Sequence, residues 1–223
     1  MLNNTDLKNV LVLDIETVPQ FSTFDHLNEH WKDLWSHKMK HLIKDDVKAA
    51  DTYDRAGIYA EFGKIVCISA GVFYNDEGEL KFRLKSYFGD DEKILLQEFS
   101  EMLNKNYYKE EHTVCGHNSK EFDFPYIARR CLINGIPIPL ILDNGGKKPW
   151  EVRLLDTMEM WKFGDYKSYT SLNLLAALFG ITSPKDDIDG SQVGNIYWQE
   201  KNLERIRTYC QKDVVTVAQI LLK

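Results

Sequence analysis

The stretch that most constrains this chain is VLVLDIETVP, Val10 to Pro19. An apolar run leads into Asp14-Ile15-Glu16, and a proline closes it. A short apolar run bounded by turn chemistry predicts a strand buried on both faces, the central strand of a sheet. Side chains alternate along a strand, so Asp14 and Glu16 share a face at its carboxyl end. Two carboxylates there are costly unless something positive joins them or the strand end opens to water. On this stretch alone a divalent cation and a solvated strand end are both open.

The totals set bounds on the rest. At 223 residues the chain is expected to form one domain, 1–223, although that length also suits two small ones. A hydrophobic content of 43% and a charged content of 28% describe an ordinary globular protein. Cys67, Cys115, Cys131 and Cys210 form no CxxC pair. They fit reduced core thiols in a cytoplasmic protein better than a disulfide framework or a zinc site. No apolar run is long enough to span a bilayer, and MLNNTDLKN lacks the basic and apolar regions of a signal peptide. A net charge of −6 argues against broad coating of nucleic acid. It leaves room for a grip on one strand end in which a cation meets the phosphate.

After Pro19 a polar, aromatic-rich segment, 21–62, predicts one or two helices, a helical insertion at about 20–62. His26/His30 and His37/His41 have i,i+4 spacing, but no HExxH accompanies them, so surface histidines are expected over a metal site. Trp31 and Trp35 should dock this helix. Ile65 to Tyr74 and Leu80 to Phe88 read as an antiparallel hairpin about the turn residues 75–78, at a sheet edge. In its second strand Leu80, Phe82, Leu84 and Phe88 alternate with a solvated set, Lys81, Arg83, Lys85 and Tyr87. Asp90 and Asp91 can cap a helix with Leu95, Phe99 and Met102/Leu103 on its apolar stripe. His112 to Cys115 is a short strand. Pro125 suits the first turn of a helix that Asn134-Gly135 would end, which puts Asp123 just before it. There it could be a mere cap, or could join a carboxylate or phosphate site. Glu151 to Asp156 reads as a strand, Leu172 to Phe179 as a helix capped by Ser171, and 185–190 as a solvated acidic loop. The last helix, about Leu203 to Leu222, stacks Tyr209 and Asp213 on one flank. Five strands and the intervening helices predict an α/β fold, a central mixed five-stranded sheet flanked by helices.

Three motifs then stand in order: DIE at 14–16, NSKEFDFP at 118–125 and YCQKD at 209–213. Together they resemble the exonuclease motifs of the DEDD superfamily, tyrosine subclass. The chain looks most like stand-alone proteins related to the proofreading exonuclease domain of family B DNA polymerases. DxE alone is weak and YxxxD is common on helices, but NxxxFDxP is sharper and the ordered set is strong. The resemblance implies a ribonuclease H-like fold and a 3′-5′ exonuclease that releases nucleoside 5′-monophosphates from 3′ ends of single-stranded DNA or RNA. It implies that Asp14, Glu16, Asp123 and Asp213 hold two Mg²⁺ or Mn²⁺ ions and that Tyr209 positions the attacking water. It also implies that Asn118 and Phe122, with the backbone around Ile15 and Thr17, hold the terminal nucleotide. The sequence ends soon after the third motif, so no polymerase domain is expected beside it.

The chemistry suits these residues. Phosphodiester hydrolysis needs hydroxide near neutral pH and relief of charge on the leaving 3′ oxygen, which two cations about 4 Å apart supply. Oxygen ligands without cysteine or histidine favour Mg²⁺ or Mn²⁺ over zinc. An unperturbed tyrosine, with a pKa of about 10, suits an orienting role better than that of a base. Competing readings are an exoribonuclease or oligonucleotide scavenger on the same site, a catalytically silent nucleic-acid-binding module, and a histidine metalloenzyme using the 26–41 segment.

Overall fold

A computed structural model describes residues 6–43, 46–165, 169–181 and 188–223. Its core is a mixed five-stranded sheet, ordered β3-β2-β1-β4-β5: β1 (Val10–Pro19), β2 (Gly63–Asp76), β3 (Glu79–Phe88), β4 (Thr113–Gly116) and β5 (Leu154–Asp156). β1 runs antiparallel to β2 and parallel to β4, and β5 is parallel to β4. β1 is central and almost wholly buried, as its apolar run predicts. The β2–β3 hairpin lies at one edge and turns on Glu77 and Gly78, both at positive φ, as the right-handed twist of a hairpin favours.

The two faces of β1 meet different helices. Leu11, Leu13 and Ile15 join one apolar cluster with α2 (Glu92–Asn106) and α3 (Asp123–Ile133), through Leu95, Phe99, Phe124 and Ile127. Val10 and Val12 join another with Val214, Val217 and Leu221 of the long C-terminal helix, Leu203–Leu221. Each large side chain taken fully from water there is worth roughly 1.5–3 kcal/mol. Asp91 caps α2, accepting the Ile94 N–H at 3.1 Å, and Asn134-Gly135 ends α3 with Gly135 at φ 68°. This alternating α/β arrangement with a mixed sheet is a ribonuclease H-like fold.

Segment 20–62 carries one α-helix, Glu29–Lys38, and a 3₁₀ helix, Ala50–Ile58. Trp35 is fully buried among Leu27, Met39, Tyr53 and Phe62, and its Nε1–H donates to the Ala49 carbonyl at 3.0 Å. Trp31 is 38% exposed and packs edge-on to Phe62 at the rim of this cluster. His26 and His41 lie outside the α-helix, so neither histidine pair shares a helix face, and all four rings are exposed.

Several expectations need correction. Tyr87 is buried, edge-on to Phe99 at 5.5 Å, because α2 covers the face of β3 that Lys81, Arg83 and Lys85 leave open. The last strand is only Leu154–Asp156, preceded by a 3₁₀ turn at Pro149–Glu151, since its partner β4 has only four residues. Ser171 caps Leu172–Leu178 as expected, accepting the Leu174 N–H at 3.3 Å. Of the acidic loop, residues 185–187 lie outside the described residues. Among the described residues no helix is long and apolar enough to cross a membrane.

Candidate active site

The site forms where β4 ends before β1 does. β4 pairs with β1 only over Val10–Val12, so the edge of β1 beyond Leu13 is open on that side. Gly116, the last residue of β4, is required here, because a Cβ would run into Ser119 and lie 3.1 Å from the Leu13 carbonyl. The chain then turns through Asn118, at φ 59°, into α3. Asp123 is the first residue of α3 rather than the one before it, and it does not cap the helix. Its Oδ1 accepts the Ile15 N–H at 3.0 Å, between the two acids of β1.

On the other face, the C-terminal helix closes over Asp14 and Glu16. A one-residue bulge in β2 after the Glu16–Cys67 pair shifts the register there, the kind of irregularity that re-aims side chains. Asp14, Glu16 and Cys210 each place a ligand atom within 4.8 Å of the others. The Cys210 thiol donates to the Asp14 carbonyl at 3.4 Å. One residue before Cys210, the Tyr209 hydroxyl donates to Asp213, a turn further along the helix, within the influence of the Glu16 and Asp14 charges. Asp14, Glu16, Asp123, Asp213 and Tyr209 therefore converge, from a strand and two helices.

Charge on this cluster is strongly disfavoured without a cation. Burial, then the charges of Asp123, Glu16 and Asp213, push the Asp14 carboxyl well above its usual range. Burial and then Asp213 do the same to Glu16. Asp123 is pushed up to about 7 by burial, with the Ser119 hydroxyl and the Ile15 N–H pulling it back. Burial, followed by Asp213, Glu16 and Asp14, raises the Tyr209 hydroxyl, which stays protonated. Burial also raises the Cys210 thiol, so it sits here as a neutral donor and not as a thiolate. A largely buried set of oxygen donors with surplus negative charge fits a hard divalent cation.

The nucleotide-holding candidates are placed less uniformly. The Asn118 Oδ1 is buried with no hydrogen-bond partner among the described residues. Phe122 is partly buried against the core, its ring 5.4 Å from Tyr126. The Ile15 side chain is buried in that core and its N–H is spent on Asp123. Thr17 borders the Tyr126 hydroxyl. Two neighbours escaped sequence reasoning. Asp156 is buried behind the Asn118 turn. His117 donates Nε2–H to the Thr170 carbonyl at 2.9 Å and accepts at Nδ1 from the Thr157 hydroxyl at 2.9 Å, and burial lowers its pKa. His117 adjoins the second motif, whereas the one sequence signal for Asp156 is its place at the end of a short strand.

A stability test follows from Asp123. A carboxyl whose folded pKa exceeds its unfolded value keeps its proton longer in the native state. Its contribution to stability is therefore present below the unfolded pKa and falls away as pH rises from 3.8 to about 7. His117, shifted the other way, gains with pH, so the clean readout is a difference between variants. Asp123→Asn keeps an acceptor for Ile15 and does not titrate. Without cation, its melting temperature should gain on that of the wild type as pH rises across this window, by several degrees at pH 8. Calorimetry in a chelator checks this, and a constant gap would contradict it.

No curated protein matches this chain. A family described as a predicted 3′-5′ exonuclease related to the exonuclease domain of PolB matches residues 58–223. That span holds Asn118, Asp123, Tyr209 and Asp213, while β1 with Asp14 and Glu16 precedes it and is joined to the site by the fold. The chain belongs to this family of predicted 3′-5′ exonucleases, a nuclease family.

Proposed function

We propose that the protein removes nucleotides one at a time from the 3′ end of single-stranded nucleic acid, releasing nucleoside 5′-monophosphates with two divalent cations, Mg²⁺ or Mn²⁺. The observation that carries this reading is the convergence of four carboxylates, with the Tyr209 hydroxyl on Asp213, at the open end of the central strand. Asp14, Glu16, Asp123 and Asp213 would hold the cations, which supply hydroxide near neutral pH and offset charge on the leaving 3′ oxygen. The relation to PolB favours DNA. The four buried thiols fit a cytoplasmic setting.

Each side chain has a defined task in this reading. Tyr209 stays protonated and is a poor base; with its one O–H on Asp213, it orients the attacking water through its oxygen, which accepts a hydrogen bond from that water. Asn118 offers its unpartnered oxygen to a donor on the terminal sugar, since a buried acceptor left unpaired costs about 1–3 kcal/mol. Phe122 presents part of one ring to the terminal base. With the Ile15 N–H committed to Asp123, the contact from β1 falls to the backbone at Thr17.

The test is digestion of 5′-labelled single- and double-stranded DNA and RNA with Mg²⁺, Mn²⁺ or EDTA. Stepwise shortening from the 3′ end, fastest on single-stranded DNA and stopped by EDTA, is expected. Either cation should also raise the melting temperature, because it neutralises the carboxylate cluster. Cleavage that survives EDTA, shortening from the 5′ end or no cleavage of any substrate would overturn the proposal.

A further inference from the structure

A further buried acid lies behind the site. Asp156, the last residue of β5, is 2% exposed. Its Oδ1 accepts the N–H of Met158 at 2.9 Å and of Glu159 at 3.3 Å, capping the short helix Thr157–Lys162. Those two bonds are local, and an asparagine would make them nearly as well. Two further bonds are not local. Oδ1 also accepts the Asn118 N–H at 2.9 Å, and Oδ2 accepts the Lys120 N–H at 3.0 Å.

These donors bracket the turn that leads from β4 to Asp123. Asn118 is in the left-handed region, at φ 59°, a conformation that costs a non-glycine residue on the order of 1 kcal/mol or more and must be imposed from outside. Ser119 between them is fully buried with its hydroxyl turned to the Asp123 carboxyl rather than to the backbone of the turn, so its side chain does little to impose it. What holds the turn is a carboxylate, whose charge-assisted bonds are roughly twice as strong as neutral ones. Asp156 faces backbone on four sides and is buried beneath the loop rather than open to a ligand.

We propose that Asp156 is a positioning residue for nucleotide removal: it clamps the 118–120 turn so that Asn118 and Asp123 meet the 3′ end in register. The proposal rests on the nuclease reading above. Asp156→Asn keeps one acceptor oxygen for the helix cap and presents an amide N–H₂ toward Lys120, setting donor against donor.

The test compares Asp156→Asn with wild type on 5′-labelled single-stranded DNA with Mn²⁺, well below the melting temperature of both, and measures amide exchange without substrate. The variant is expected to fold, to lose about 10- to 100-fold in kcat/KM, and to exchange faster across 116–122 but not across 203–221. An active wild type with a variant within threefold of it, or exchange unchanged at 116–122, overturns the clamp. Faster exchange throughout the chain reduces Asp156 to a stability role and also overturns it. A wild type that cleaves nothing is instead the failure of the nuclease reading, and the clamp falls with it.

Discussion

Asp14→Ala and Asp213→Ala are each expected to lose at least about a thousandfold in kcat/KM on a labelled single strand, a loss of roughly 4 kcal/mol in transition-state stabilisation. Both variants should nevertheless fold and, without cation, melt no lower than the wild type. The two outcomes have one cause. The carboxylates lie in a partly buried cluster where each raises the cost of charging another. Removing one relieves repulsion in the cation-free protein and destroys the donor set the chemistry needs. Tyr209→Phe should retain more activity, falling about 10- to 100-fold, since it loses a hydrogen bond to water but no cation ligand. Steady-state kinetics with circular dichroism and melting curves separate these cases. Wild-type rates in Asp14→Ala would end the assignment.

Much of this architecture is legible in the residues themselves. The apolar run before Asp14 can only be a covered strand, Glu77-Gly78 can only be a tight turn, and Asn134-Gly135 marks a helix end. DIE lies in the second half of β1 and FDFP opens α3, whereas YCQKD sits midway along the C-terminal helix and reaches the site only through the packing of that helix on β1. What is not legible depends on which elements end where in space. That β4 stops short of β1, leaving the Ile15 N–H for Asp123, cannot be deduced from either strand alone. Tyr87 alternates with the apolar set of β3 and so looks solvated, until α2 is laid across that face. Asp156 and Glu92 look like ordinary first-turn or capping acids, because an acid at a helix start has a sufficient local reason to be there. Their distant partners, 38 residues away for Asp156 with Asn118 and 38 for Glu92 with Arg130, leave no periodic trace.

Glu92→Ala is expected to cost about 3–5 kcal/mol of folding stability, against a total that is commonly about 5–15 kcal/mol. Glu92 and Arg130 are both buried, and they form a two-pronged ion pair between α2 and α3. The carboxylate also accepts the Ile65 N–H at 2.7 Å and the Asn134 side-chain amide at 3.0 Å. The guanidinium also donates to the Ala60 carbonyl at 2.8 Å. One pair thus ties two helices to the start of β2 and to the end of segment 20–62. Truncating Glu92 strands the Arg130 charge in the interior and leaves the Ile65 N–H unmet, which should lower the melting temperature by about 10 °C. The pair need not be worth that much as a pair, because desolvating both charges offsets most of their attraction. Glu92→Leu combined with Arg130→Met should therefore melt well above Glu92→Ala, although it removes more polar contacts. A double variant less stable than the single one would show that the backbone bonds to Ile65 and Ala60, rather than the stranded charge, set the cost.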